Sequence, residues 1–113
     1  MKDDGNSTEA LGRAESLALM RSVPIGRIVF TEQALPAIRP VGFRLDGETV
    51  VIHTGLGSSL SRAVRDSVVA FQADAFESGT GHGWSVTVLG EARSWRDGIR
   101  IGCHQVSGQR IGP

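Results

Sequence analysis

Residues 26–54 read GRIVFTEQALPAIRPVGFRLDGETVVIHT, and this stretch decides the fold. Short runs of β-branched and aromatic residues alternate in it with turn-forming residues, a pattern that is typical of strands. It predicts strands at 26–32, 37–45 and 49–54. The pair Asp46-Gly47 lies between the last two strands and is typical of a hairpin turn. The stretch is therefore predicted to form consecutive antiparallel strands.

The same kinds of pattern extend to both sides of this stretch. Apolar residues at three- and four-residue steps predict two short helices, at 9–21 and 58–65. Further strands are predicted at 67–76, at 84–95 and within 99–111. Gly90 is expected to form a bulge in the second of these strands, and the polar residues 1–8 are expected to be disordered. Together the elements predict a mostly antiparallel barrel, with the helix at 58–65 over one mouth.

The composition fits one small domain over residues 1–113. Twelve basic and twelve acidic residues balance, which argues against binding to nucleic acid or to a membrane through bulk charge. No apolar run approaches the roughly 20 residues that span a bilayer, and the first residues do not resemble a signal peptide. Cys103 is the single cysteine, so an internal disulfide is excluded. We expect a cytoplasmic domain without nucleic-acid or membrane partners.

The segment HTGLGSSL, residues 53–60, combines hydroxyl residues and glycines at the predicted start of a helix. Backbone N–H groups at a helix start attract anions. The hydroxyls of Thr54, Ser58 and Ser59 would add hydrogen bonds to phosphate oxygens, and Arg62 follows one turn later. The alternative is an ordinary capped helix, because Ser and Gly are preferred there for local reasons.

Two further segments are candidates for contact with a flat ring. In Ala37–Phe43, Pro40 leaves a neighbouring carbonyl unpaired and Gly42 allows close approach. The alternative is an edge strand that tolerates a proline. Trp84 follows a glycine-rich loop, where an aromatic side chain stacks on a ring, fills a subunit contact or fills the core.

Other side chains give no catalytic or metal-binding signal. The three histidines do not have the spacing of metal ligands, and no metal site is predicted. No carboxylate pair or Ser–His–Asp order stands at a recognisable spacing, so the catalytic residues stay unknown.

The order of these segments resembles the pyridoxamine 5′-phosphate oxidase-like family of flavin-binding split barrels. The likeness covers about residues 15–93 and rests on GRIVFTEQALPAIRPVGFRLDGETVVIHTGLGSSL, followed by VVAFQAD and GWSVTVLGEA. It implies a six-stranded antiparallel split barrel that forms a homodimer, with flavin mononucleotide (FMN) at the subunit interface.

The resemblance also implies roles for particular residues. An arm of β-strand runs beside the flavin ring, hydroxyl residues receive the phosphate, and the start of the strand at Trp84 lies near the cofactor of the other subunit. With Arg62 added from the segment above, the expected cofactor-binding residues are Arg39, Pro40, Val41, Gly42, Thr54, Ser58, Ser59, Arg62, Trp84 and Ser85.

Two departures from the family pattern bear on function. Ser59 stands where relatives usually have Lys, which lowers the expected phosphate affinity about tenfold or recruits Arg62. The connection before the final strand is also shorter than in relatives, because residues 95–98 lead almost directly into residues 99–101. The substrate side is therefore expected to be more open, or the site incomplete. The implied function is an FMN-dependent oxidoreductase acting on an unidentified small acceptor. The alternatives are a deazaflavin-dependent reductase and a non-catalytic flavin-binding protein.

Overall fold

The computed structural model describes residues 7–54 and 58–112, which form nine strands and two helices. The strands are β1 Ser7–Leu11, β2 Ile25–Glu32, β3 Leu35–Gly42, β4 Arg44–Asp46, β5 Thr49–His53, β6 Ser67–Phe76, β7 Gly83–Trp95, β8 Gly98–Gly102 and β9 Gln105–Gly112, and the helices are α1 Arg13–Met20 and α2 Ser59–Val64. No helix in these two ranges has the length and apolar character needed to cross a membrane.

The mostly β antiparallel fold is confirmed, but the expected count of six strands is wrong. The strand predicted at 37–45 is interrupted at Phe43, where the backbone N–H bonds to the carbonyl of Pro24 (3.1 Å) and the ring packs against Phe71 (4.8 Å between centroids). The strand predicted within 99–111 is also two strands, β8 and β9, which are separated by Cys103 and His104. The third additional strand is β1.

The N-terminal expectations need correction. Ser7 and Thr8, expected to be disordered, begin β1, while residues 1–6 lie outside the described residues. The helix predicted at 9–21 is limited to α1, because residues 9–11 belong to β1. β1 pairs with β9, from Ser7 opposite Gly112 to Leu11 opposite Gly108. A partner about 100 residues away leaves no trace in the local sequence pattern.

The sheet is organised around the 13-residue strand β7. The path of paired strands is β3-β2-β6-β7-β8-β5-β4, and β9 and β1 extend from β7 beside it. One edge of β7 pairs with β6 along residues 83–92. The other edge is shared, because β9 pairs with residues 83–89 and β8 with residues 92–95. The barrel therefore splits at β7.

Gly90 lies at this split, and the bulge expected there is absent. The register with β6 continues through it, with Gly90 opposite Val69. A Cβ atom at Gly90 would lie 1.8 Å from the carbonyl oxygen of Gly102, where β8 leaves β7. The position therefore requires glycine because two backbones approach closely.

The core fills the concave face of the curved sheet. Ile28, Phe71 and Val88 are fully buried neighbours on three adjacent strands. α2 covers one end of this core with the buried side chains of Leu60 and Val64, as expected for the predicted helix.

The convex face carries an apolar row across four strands, which we call the outer row. It consists of Ile38, Val29, Ala70 and Leu89, each opposite the next across a strand pair. None of the four is fully buried, and Ile38 is 67% exposed.

The substitution Gly90→Ala is expected to lower the free energy of unfolding by about 1–3 kcal/mol, because the added methyl group forces β7 and β8 apart. Urea denaturation at a fixed protein concentration measures this change. Gly102→Ala is the control, since a Cβ at Gly102 meets nothing within 4 Å. Equal losses in the two variants would contradict the close approach at Gly90.

Candidate functional site

The predicted anion-binding residues Thr54, Ser58, Ser59 and Arg62 lie at and around the start of α2, and we call them the anion segment. Ser58 is the N-cap, and its Oγ accepts a hydrogen bond from the N–H of Ser61 (3.0 Å). The same hydroxyl donates to Oγ1 of Thr54 (3.0 Å). The capped-helix interpretation is therefore confirmed for Ser58. Residues 55–57, which connect Thr54 to Ser58, lie outside the described residues.

The exposed part of the anion segment faces the turn between β2 and β3. Ser59 and Arg62 line a shallow depression of about 360 Å³, together with Thr31, Glu32, Gln33 and Ala63. Both Ser59 and Arg62 are exposed, and α2 has no acidic residue in its first turn. A hydroxyl and a guanidinium are donors that suit a phosphate. The donor set fits the phosphate of a nucleotide.

The predicted arm Arg39–Gly42 lies within β3, at the end of the strand path. Pro40 is opposite Arg27 of β2, and the edge-strand interpretation of this proline is confirmed. The guanidinium of Arg39 lies 5.8 Å from the centroid of the Phe30 ring. Pro40 and Gly42 are exposed and Val41 is half-buried, so the arm offers an accessible backbone edge. The turn at 33–34 leads directly from the depression at Ser59 into β3.

The third predicted group, Trp84 and Ser85 at the start of β7, is less exposed than the other two. The side chain of Trp84 belongs to the core and is 7% exposed. Little of its indole is left for a cofactor, so core filling explains this residue and its contact with a flavin stays a prediction. Ser85 is half-buried, and its Oγ accepts a hydrogen bond from Nε2 of Gln72 (3.1 Å).

Ser85 is part of a polar network that the sequence analysis missed. Nε2 of Gln72 also donates to Oδ2 of Asp74 (2.8 Å), and a guanidinium N–H of Arg27 donates to Oε1 of Gln72 (3.0 Å). The network joins β2, β6 and β7 on the convex face, next to the outer row. The signal in the sequence was the alternation of polar and apolar residues through Gln72 and Asp74.

The anion segment and the start of β7 lie far apart within one chain. Oγ of Ser61 in α2 is 3.0 Å from Oγ of Ser94, near the end of β7. Nine residue steps separate Ser85 from Ser94, and at about 3.3 Å per residue they span about 30 Å. The structure therefore places the anion segment beside the β2–β3 turn. The arm pairs with residues 25–28 at the other end of β2, so it lies toward the end of the sheet that also holds Trp84 and Ser85.

Residues 12–102 match the family model that is described as pyridoxamine 5′-phosphate oxidase. The chain belongs to the pyridoxamine 5′-phosphate oxidase-like family. This confirms the resemblance and, with the fold above, the predicted split barrel.

The chain is 41% identical over 100 residues to the uncharacterized protein Rv0080 of Mycobacterium tuberculosis. The matched part is 84% of this chain and 66% of that protein, so the chain spans just under two thirds of its length. Among solved structures, the FAD binding protein from Mycobacterium smegmatis has a TM-score of 0.83 and 34% identity, and the match covers 92% of this chain and 98% of that chain. A putative pyridoxamine 5′-phosphate oxidase from Corynebacterium glutamicum has a TM-score of 0.79 and 26% identity, over 98% of each chain.

This pyridoxamine 5′-phosphate oxidase-like chain carries one further cluster beside the anion segment, at the tip of the β7–β8 hairpin. Guanidinium carbons of Arg96 and Arg100 lie 4.8 and 4.5 Å from the centroid of the Trp95 ring. The backbone N–H of Thr54 donates to the carbonyl of Asp97 at the same tip (3.2 Å). The sequence analysis missed this cluster, and the signal for it was a Trp-Arg pair at a two-residue hairpin turn.

Arg100 is anchored on its other side. Its guanidinium donates to Oδ2 of Asp46 (2.9 Å). This hydrogen bond, together with the charge of Arg100, holds the pKa of the Asp46 carboxyl below its usual value. Asp46 is therefore ionised at neutral pH, as the ion pair with Arg100 requires.

Ser58→Ala is expected to lower the free energy of unfolding by about 1 kcal/mol, because the Ser58 hydroxyl caps α2. Ser59→Ala is the matched control, because its hydroxyl is exposed and makes no capping bond. Chemical denaturation of both variants measures the difference. Equal stability of the two variants would argue against the cap.

Proposed function

We propose that this chain is a flavin-dependent oxidoreductase that binds FMN, or the FMN half of flavin adenine dinucleotide (FAD), between the anion segment and the arm. The observation that carries the proposal is the depression at Ser59 and Arg62, which lies beside the turn leading into the arm. The 34% identical relative whose name is FAD binding protein supports a flavin. A bound flavin supplies the redox chemistry, and the protein supplies binding and orientation.

The anion segment has the charge needed to orient a phosphate. Arg62 brings a positive charge to the depression, and Ser59 brings a hydroxyl donor. One carboxylate, that of Glu32, also lines the depression and opposes an anion there. The balance favours a phosphate bound mainly through hydrogen bonds, and predicts a lower affinity than a site with a lysine at position 59 would have.

The arm suits the edge of a flat ring. Because β3 lies at the end of the strand path, its outer backbone groups have no strand partner within residues 7–54 and 58–112. Exposed backbone N–H and C=O groups match the alternating donors and acceptors at the edge of a flavin ring. Pro40 contributes no N–H, which leaves a carbonyl-rich stretch around it.

We further propose that the working form is a homodimer with the cofactor at the subunit interface. Within one chain, Ser85 lies about 30 Å from the anion segment, at about 3.3 Å per residue of β7. A flavin mononucleotide does not span that distance. The family resemblance implies that the start of β7 contacts the cofactor, and a second copy would bring it to the phosphate end of the site.

The convex face offers a surface for that second copy. The outer row exposes contiguous apolar side chains, and Val68 beside it is 74% exposed. Contiguous exposed apolar surface on a small domain marks an interaction site. The network around Ser85 adjoins the row, so a dimer formed through this face would bring Ser85 to a subunit boundary.

Two observations favour a second candidate, a flavin-binding protein without catalysis. Ser59 replaces the usual lysine, and among the described residues no histidine or cysteine lines the depression at Ser59. Absorbance of the purified protein near 450 nm, the band that oxidised flavin itself contributes, tests for flavin. Turnover with a reduced nicotinamide and an artificial acceptor would then distinguish an enzyme from a carrier. A protein that binds a deazaflavin and neither FMN nor FAD would replace the flavin proposal. The cytoplasmic location stays a prediction.

Ser59→Lys is expected to raise the affinity for FMN about tenfold, because a charge-assisted bond replaces a neutral one. Calorimetric titration measures the change. Ser59→Gln is the control, since it lengthens the side chain without adding charge, and it should give no gain. If lysine and glutamine at this position have the same effect, the phosphate does not lie at Ser59.

Ile38→Asp is expected to convert the dimer to a monomer and to weaken flavin binding, because it places a charge in the outer row. Leu35→Asp is the matched control for the oligomeric state, since both residues lie in β3 and both are 67% exposed. Leu35 is at the β2–β3 turn, outside the outer row. Sedimentation velocity and flavin titration read both effects. A monomeric wild-type protein that binds flavin would contradict the proposal.

A further inference from the structure

A pocket of about 380 Å³ lies between the end of α1 and β4, away from the anion segment and the outer row. We call it the Phe43 pocket. Its volume falls within the range of about 300–1,000 Å³ that is usual for small-molecule sites. Part of its wall is apolar and consists of Val23, Pro24, Phe43 and Leu45.

Backbone hydrogen bonds join the two sides of the Phe43 pocket. On one side α1 ends at Met20, whose carbonyl accepts a hydrogen bond from the N–H of Val23 (3.4 Å). Pro24 then prevents the helix from continuing. The N–H of Phe43, where β3 breaks into β4, donates to the carbonyl of Pro24 (3.1 Å). The turn after α1 is therefore fixed to the strand that forms the other side.

Two guanidinium groups belong to residues that line the Phe43 pocket, and none of the described lining residues carries a carboxylate. Arg21 donates to the carbonyl of Gly47 (2.9 Å), which holds its guanidinium near the β4–β5 turn. Neither Arg21 nor Arg44 forms an ion pair in the part of the chain that the structure describes. Asp46, the acidic residue of β4, is bonded to Arg100 (2.9 Å). The pocket therefore combines an apolar wall with positive charge.

The Phe43 pocket is reached from the edge of β4. Consecutive residues of a strand point to opposite faces, so a pocket that both Arg44 and Leu45 border lies at the edge of the strand. β4 is the last strand of the path, and no described strand covers its outer edge. Phe43 directly follows Gly42, the last residue of the arm. The pocket therefore begins where the arm ends.

We propose that the Phe43 pocket binds a small apolar molecule that carries an anionic group, and that this molecule is the substrate of the proposed oxidoreductase. The apolar wall covers the body of the molecule, and Arg21 and Arg44 pair with its anionic group. A guanidinium presents its N–H donors in a planar fork that matches a carboxylate. The identification as substrate rests on the proposed function, because it takes the flavin ring to lie on the arm. The binding of an apolar anion does not depend on it.

The test compares para-fluorobenzoate with para-fluorobenzamide, which share a ring and differ in charge, in a fluorine NMR titration. The wild-type protein is expected to bind the benzoate at least about fivefold more tightly, because only the benzoate forms charge-assisted hydrogen bonds. Arg44→Gln and Arg21→Gln should each remove most of this preference and leave the benzamide affinity within about twofold.

Arg65→Gln is the matched control. Arg65 is another exposed arginine without an ion pair among the described residues, and it does not line the Phe43 pocket. Its substitution should leave both affinities unchanged. Higher ionic strength should weaken the benzoate and not the benzamide, because salt screens the charges of the two guanidinium groups. Circular dichroism checks that each variant is folded.

A second measurement tests the identification as substrate. In the flavin-loaded protein, the benzoate is expected to shift the absorbance band of the flavin, because the pocket begins where the arm ends. Arg44→Gln should abolish this shift. A benzoate that binds without changing the flavin absorbance would overturn the identification as substrate.

Other results would overturn the binding of an apolar anion itself. Equal affinities of the wild-type protein for the two probes would do so, and so would equal losses of benzoate affinity in Arg44→Gln and Arg65→Gln. If the protein binds flavin and not the benzoate, this inference fails while the proposed function stands. If it binds the benzoate and no flavin, the identification as substrate fails together with the proposed function.

Discussion

Two strands share one edge of β7, and the rest of the arrangement depends on this. β9 occupies the first half of the edge and β8 the second, and the chain crosses between them over Gly90, where Gly102 approaches too closely for any side chain. Because β7 is long and serves both halves, it carries α2 and the β7–β8 hairpin at one end and Trp84 and Ser85 at the other. The anion segment and the start of β7 are thereby held apart in one chain, and this separation is the basis on which we propose that a second copy completes the site.

Local sequence patterns were sufficient to predict the elements whose structure depends on residues that are close in the sequence. The strand at 67–76, the hairpin at Asp46-Gly47 and the helix capped by Ser58 follow from alternation, turn chemistry and capping, and the structure confirms all three. The patterns were insufficient to predict elements whose structure depends on a partner that is distant in the sequence. β1 exists because β9 lies beside it. Phe43 leaves its strand because its ring packs on Phe71 of β6.

The candidate site divides in the same way. The hydroxyls around α2 were visible in the sequence because serine, threonine and glycine mark a helix start wherever it occurs. The structure adds that Ser58 already has a structural bond, which leaves Ser59 and Arg62 as the exposed groups. The cluster at the tip of the β7–β8 hairpin was not visible in the sequence because it depends on a cross-strand neighbour, since Arg100 reaches Trp95 only once β7 and β8 pair. Trp84, by contrast, was singled out in the sequence as a candidate for cofactor contact. An aromatic residue after a loop is equally consistent with the core, and Trp84 lies in the core.

The claim that one cofactor site needs residues of two copies is tested most directly by mixing two defective chains. One chain would carry Ser59→Glu, which repels a phosphate, and the other Ser85→Gln, which alters the far end of β7. After denaturation together and refolding, mixed dimers contain one site with both parts intact and one with neither. The account predicts that each variant alone binds little flavin, and that the mixture recovers about a quarter of the sites, the fraction expected for random pairing of two chains in a symmetric dimer. The account would be contradicted if mixing recovered no flavin binding, or if either variant alone bound flavin at all of its sites.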